Sequence, residues 1–162
     1  MKEAKTNAMR IMERNNIGYK VHAFEIDPDN YVSLGEDNAV EKVGLPADRV
    51  FKTIVTKGKS GTHYVFMLPV NRELDLKKCA AAVGEKSVEP LHLKELLPVT
   101  GYIRGGCSPV GMKKQFATVT HETALHYETI VFSAGRPGVM MEASPLSLEK
   151  AAGVRFKDIV RE

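Results

Sequence analysis

The chain has 162 residues, 43% of them apolar and 27% charged, which is ordinary globular composition with length for a full-sized core. Its net charge is +3, with 23 Lys and Arg against 20 Asp and Glu; this permits a small phosphate footprint but excludes a dense basic arm. No apolar run approaches the ~20 residues of a membrane span, and the opening "MKEAKTNAMRIMERNN" lacks the apolar core of a signal peptide, so a cytoplasmic protein is expected.

Ala8, Ile11, Met12 and Asn15 recur at helical spacing, and Thr6 is available as their cap. "GYKVHAFEI" then alternates like a strand, "DPDN" signals a turn, and "GEDNAVEKVGLP" reads as a short helix stopped by Gly44 and Pro46. "VFKTIVTK" and "THYVFMLPV" are two strands joined by the hairpin loop "KGKSG". Asp75 caps a helix over "LKKCAAAV" that Gly84 ends, and "HLKELLP" is another short helix. "TALHYE" adds a turn, "ETIVFSAG" and "GVMMEAS" are late strands, and "PLSLEKAAGV" is a closing helix with Pro145 in its first turn. Short strands and helices mix without a βαβ rhythm. The expectation is one α+β domain over residues 1–162, a mixed and mostly antiparallel sheet curled toward a barrel, with helices outside.

Neither cysteine has a partner at a diagnostic spacing. Cys79 reads as a small core residue; Cys107, in "GGCSP", could be a core residue or a reactive thiol. His121 and His126 in "HETALH" are five apart, where a zinc-binding helix needs four. All five histidines are therefore expected at surface or half-buried structural positions, and no metal or other cofactor is expected. A phosphate-binding G-x-x-x-x-G-K-[ST] loop and a G-x-S-x-G elbow are both missing.

Three stretches carry chemistry. In "VFKTIV", Lys52 stands in an otherwise apolar strand, and a buried ammonium must reach water, find an anion or bind a ligand. "TGYIRGGCSPVGMKK" holds four glycines, which would let backbone N–H groups approach a ligand oxygen or would serve a tight connection with special backbone angles. "SAGRPG" is either a plain hairpin loop or a place where a serine hydroxyl and glycine N–H groups meet a substrate.

"FKT", "GYIRGGCSPVGMKK" and "SAGRPG", in this order and spacing, resemble the YbaK/EbsC family of aminoacyl-tRNA deacylases, relatives of the editing domain of prolyl-tRNA synthetase. The likeness spans nearly the whole chain, and "GG-x-SP-x-G-x-KK" is similar to the bacterial YbaK branch, associated with removal of cysteine from proline tRNA. The resemblance implies a barrel-like sheet surrounded by helices. It implies functional roles for Lys52, Gly105 and Ser133, and substrate contacts from Phe24, Leu34, Thr53, Gly106, Ser108, Gly135 and Arg136. Phe24 stands where the family often has tyrosine, and Leu34 where an aromatic can occur.

The partners it implies are the mischarged tRNA acceptor end and prolyl-tRNA synthetase. The implied chemistry uses the substrate's own cysteine thiol as nucleophile, with a cyclic thioester that water then opens. A deacylase for alanine on proline tRNA, and a non-catalytic acceptor-end binding module, are the alternative readings.

Overall fold

The computed structural model describes residues 5–24, 40 and 43–162. Helix α1, Asn7–Arg14, starts where Thr6 accepts a 3.2 Å hydrogen bond from the Met9 N–H, and buries Ala8, Met9 and Met12. Strand β1 is Lys20–Ala23. Of the predicted "DPDN" turn and "GEDNAVEKVGLP" helix, residues 25–39, 41 and 42, with Leu34 among them, lie outside the described residues. The end of that helix is seen: Gly44, at φ +77°, donates its N–H to the Val40 carbonyl.

Strands β2, Phe51–Gly58, and β3, His63–Pro69, form the expected hairpin. Asp75 caps α2, Leu76–Val83, by accepting from the Lys77 and Lys78 N–H groups, and left-handed Gly84 ends it. Strand β4, Val88–Pro90, follows, then α3, Leu93–Thr100. This helix runs two residues beyond the expected stop at Pro98, which stands in the last turn; Gly101 closes it at φ +87°. Strand β5, Ala117–His121, leads into a 3-10 turn, Glu122–His126, over the segment expected to add a turn. Strands β6, Ile130–Arg136, and β7, Val139–Ala143, are the predicted late pair. Helix α4, Ser147–Ala152, and strand β8, Arg155–Lys157, complete the order. Pro145 precedes α4 rather than entering its first turn; its carbonyl accepts the Leu148 N–H.

The strands form two sheets, β1-β7-β6 and β4-β2-β3-β5-β8. Pairing is antiparallel except for β3 with β5 and β5 with β8, so the arrangement is α+β, mixed and mostly antiparallel. The sheets meet at a parallel bridge, Val50 to Val131, but strand pairing among the described residues does not close a barrel.

Strands β4, β5 and β8 go beyond the sequence expectation. Three residues are too few for β4 or β8 to show alternation, and β5 is buried on both faces, with Thr118, Val119 and Thr120 all enclosed. Its threonines find local acceptors: Thr118 donates to the Phe116 carbonyl, and Thr120 lies 3.6 Å from the Met67 sulfur.

The main core packs Met12, Phe51, Met67, Phe132, Met141 and Leu148 between the sheets and α1. On the other face of the larger sheet, α2 covers Phe66, Leu68, Val119 and Ile159 with Cys79 and Ala80.

Candidate active site

The Val50–Val131 bridge sets the geometry. Side chains alternate along a strand, so Val50 and Lys52 share one face of β2, and Val131 and Ser133 share one face of β6. Val50 and Val131 pack together with Val70 and Met140, and Phe24 lies against the same cluster. The bridge is isolated, and Lys52 and Ser133 each follow it by two residues, on the faces of Val50 and Val131. Of the residues expected to meet substrate, Phe24 packs on this apolar cluster, and Lys52 and Ser133 follow its Val50 and Val131 along their strands.

Lys52 is half-buried, and its ammonium donates a 3.4 Å hydrogen bond to the Val70 carbonyl, one of its polar contacts. Ser133 pairs with Met140 at the start of a bulge: the next matched pair is Arg136 with Val139, so Ala134 and Gly135 intervene on β6 with no counterpart on β7. The Ser133 hydroxyl oxygen accepts the Gly135 N–H at 3.2 Å, which leaves its proton to be donated elsewhere. Gly135, at φ +106°, lies against the Tyr102 ring and Thr6: a Cβ there would stand 3.0 Å from Tyr102 Cε1 and 3.4 Å from Thr6 Cβ. Arg136 is the last residue of β6, and the two-residue turn Pro137–Gly138 follows, with Gly138 at φ +81°. "SAGRPG" is therefore a hairpin end that carries a bulge.

The glycine-rich loop reaches the site against that hairpin. Gly105 has φ +84° and occupies the third position of a turn closed by the Gly106 N–H donating to the Ile103 carbonyl at 3.0 Å. Gly106 abuts the hairpin so closely that a Cβ there would stand 2.6 Å from Pro137 Cδ and 2.8 Å from Pro137 N. Further along, Tyr102 donates to the Val110 carbonyl at 2.6 Å, and Asn7 of α1 donates to the Gly111 carbonyl at 2.8 Å. Burial pushes the Tyr102 phenol up to about 12, so it stays a neutral donor. The loop is thereby held between α1 and β6.

Two expected contacts lie apart from this face. Thr53 alternates to the side of Phe51 and Val55; its hydroxyl is enclosed and has no hydrogen-bond partner among the described residues. Ser108 is fully buried, and its hydroxyl oxygen accepts the Val110 N–H. Cys107 is buried beside Val55, Val65, Tyr102 and Met112, and burial pushes its thiol up to about 12. Of its two open roles, packing is the one the geometry supports. Cys79 is likewise a free, buried thiol in the α2 core, raised to about 12 by burial.

The expectation that all five histidines are surface or half-buried is corrected at His121. It is 4% exposed, and its Nδ1 accepts the Ile159 N–H at 3.3 Å. Burial lowers its pKa.

A polar network that sequence reasoning did not single out continues the site's face. Glu142, two residues from Met140, takes a 2.6 Å hydrogen bond from Thr129 and lies 2.8 Å from His22 Nε2. These contacts, led by the Thr129 hydroxyl, hold its carboxyl below the usual range against the opposing effect of burial. Arg49 donates to the Thr129 side chain and carbonyl and lies over the Tyr127 ring. The available signal was a carboxylate in the apolar run "GVMMEAS", the same anomaly as Lys52 in its strand.

An ammonium, a hydroxyl and a glycine turn around an apolar patch suit an oxygen-rich end group joined to a small side chain. Cys107, raised to about 12 by burial, is a protonated thiol near neutral pH. Among the described residues, no helix is long and apolar enough to cross a membrane.

The comparisons with known proteins define the class first. Residues 37–151 match the aminoacyl-tRNA editing domain, and the chain belongs to that family. More particularly, it is 45% identical over 157 residues to an Enterococcus faecalis (strain ATCC 700802 / V583) protein provisionally named Cys-tRNA(Pro)/Cys-tRNA(Cys) deacylase EbsC, covering 97% of this chain and 94% of that one. A segment forming 14% of the proline–tRNA ligase of Thermosipho africanus (strain TCF52B) is 30% identical over 78 residues, or 48% of this chain. In fold, the chain is similar to a crystal structure described provisionally as a trans-editing enzyme for prolyl tRNA synthetase, with TM-score 0.80, 24% identity and coverage of 99% of this chain and 100% of that one.

Proposed function

We propose that the protein is a cytoplasmic, single-domain aminoacyl-tRNA deacylase acting in trans, which removes cysteine esterified to proline tRNA and accepts cysteine on its own tRNA as a second substrate. The single observation that supports the reading is the Val50–Val131 bridge, two residues before Lys52 on β2 and two before Ser133 on β6. Family membership and the name of the 45% identical relative support the substrate class.

In this reading Lys52 holds a phosphate or ribose oxygen of the terminal adenosine. Ser133 donates its hydroxyl proton to the substrate, with its oxygen oriented by the Gly135 N–H. Because the Gly106 N–H is committed to Ile103, oxyanion stabilisation narrows to Gly105 and Ser133.

The substrate's cysteine supplies the nucleophile. A free thiol with pKa near ~8.5 loses its proton, and the sulfur attacks the adjoining ester carbonyl. The ester C–O bond breaks, the ribose oxygen takes a proton, and the tRNA leaves. Water then opens the four-membered cyclic thioester to free cysteine. Prolyl-tRNA synthetase is the proposed partner that hands over the mischarged tRNA.

The test is a deacylation panel on proline tRNA charged with cysteine, alanine, serine and proline. Preferential clearance of cysteine supports the reading. Preferential clearance of alanine replaces it with an alanyl-tRNA deacylase, and binding without turnover replaces it with an acceptor-end binding module.

A further inference from the structure

Helix α3 and the glycine-rich loop form a surface that the site chemistry does not use. Residues 93–116 carry Lys94, Arg104, Lys113 and Lys114 against the single carboxylate of Glu95, a net of +3, while the whole chain is also +3. The residues outside this segment sum to zero. The four cations are exposed, and between them lie exposed Leu93, Leu97 and Ile103, at 55%, 51% and 46%.

The segment is held as one body. The Lys113 N–H donates to the Thr100 carbonyl at 2.9 Å, the Lys113 stem runs over Gly101, and its ammonium donates to the Pro98 carbonyl at 3.4 Å. A lysine at a helix C-terminus has a structural reason to be there. That reason does not extend to Lys94 at the opposite end of α3, or to Arg104 and Lys114.

We propose that this face is the docking track for the phosphate backbone of the RNA whose 3′ end enters the site. The inference rests on the deacylase reading for the identity of that RNA. Charge selects the occupant: a cation-rich strip complements a polyanion, and the apolar side chains between the cations can lie against riboses. Position agrees, because the loop that carries Arg104, Lys113 and Lys114 also carries Gly105, which the deacylase reading assigns to the site. A chain esterified at its 3′ end must cross the neighbouring surface on leaving.

The experiment measures binding of uncharged proline tRNA to the full chain over a salt series. It compares the native protein, a Lys94→Gln/Lys113→Gln/Lys114→Gln variant, and a control with equal charge loss elsewhere, Lys57→Gln/Lys59→Gln/Lys150→Gln. The track variant should flatten the plot of log affinity against log salt by about one per cation removed, and the control should follow the native line. Cysteinyl-adenosine, which has no backbone to reach the track, should be cleaved equally by all three proteins, while cysteinyl-tRNA should show a raised KM only in the track variant. Equal slopes for the two variants, or a track variant that retains the native slope, overturn the proposal. The slope needs no turnover, so failure of the deacylase reading and failure of the track are read separately.

Discussion

Lys52 and Ser133 each lie two residues past the Val50–Val131 bridge, on the strand faces that the bridge sets side by side. Lys52→Met tests the lysine's role, since methionine keeps an apolar stem beside Leu68, its cross-strand neighbour, and deletes the charge. Deacylation should fall by ~100-fold or more, the usual scale for loss of one charge-stabilising group. The mutation removes the 3.4 Å bond to the Val70 carbonyl along with the other polar contacts of Lys52, and the melting curve reads their sum. A fall of 3–5 kcal/mol in stability, with turnover intact in the folded fraction, would instead mark Lys52 as half of a structural ion pair.

Substrate choice separates thiol-assisted chemistry from water attack. Cysteinyl-tRNA should be cleared far faster than seryl-tRNA, because the hydroxyl is nearly isosteric but scarcely ionised near neutral pH. Matched single-turnover rates on the two esters provide the measurement, and equal rates would exclude the substrate thiol as nucleophile.

Cys107→Ala should keep most of its activity. The thiol is raised to about 12 by burial, so almost none of it is thiolate at neutral pH. Removing the sulfur from beside Val65 and Met112 should cost on the order of 1–2 kcal/mol through the small cavity left. A folded but inactive Cys107→Ala protein would restore a covalent mechanism.

The two adjacent glycines should fail differently. Gly105→Ala forces an L side chain to φ +84°, at a cost of about 1–2 kcal/mol, and should lower turnover by ~100-fold if its N–H faces the oxyanion. Gly106→Ala drives a methyl into Pro137 and should destabilise more, because backbone lies at 2.8 Å and cannot swing aside. Melting curves with turnover per folded molecule separate the effects; near-normal turnover in Gly105→Ala would leave Ser133 as the donor.

Stability should decline as the pH falls below about 6.5 because of His121. Burial, its leading influence, lowers its pKa in the folded chain; Arg72 and Lys78 act in the same direction, and Asp158 and Glu122 oppose them. Between the lowered value and 6.5 the unfolded chain binds more protons, so stability rises with pH across that window and flattens above it. His121→Asn offers a non-titrating acceptor to the Ile159 N–H and should remove this part of the slope. Denaturant midpoints at several pH values check it, and an unchanged slope would place the titration elsewhere.

The amino-acid sequence by itself determined the local structure. Thr6 and Asp75 cap helices because their side-chain oxygens reach N–H groups two or three residues away, and Gly84 ends a helix because it accepts positive φ. The β2–β3 hairpin and the oddity of Lys52 were legible for the same reason: each is a short-range conflict or agreement of residue types. Which residues Lys52 would meet was expected only through family resemblance, since Ser133 is more than eighty positions away and nothing near either residue encodes the bridge. Tertiary structure alone decided that Thr53 and Ser108 turn away from this face, that the Gly106 N–H is spent on Ile103, and that His121 is buried. It also decided β4, β5 and β8, whose pairing stabilises strands too short or too fully enclosed to show a period of two. Long-range register follows from how whole faces bury against one another, and no short window of sequence contains both faces.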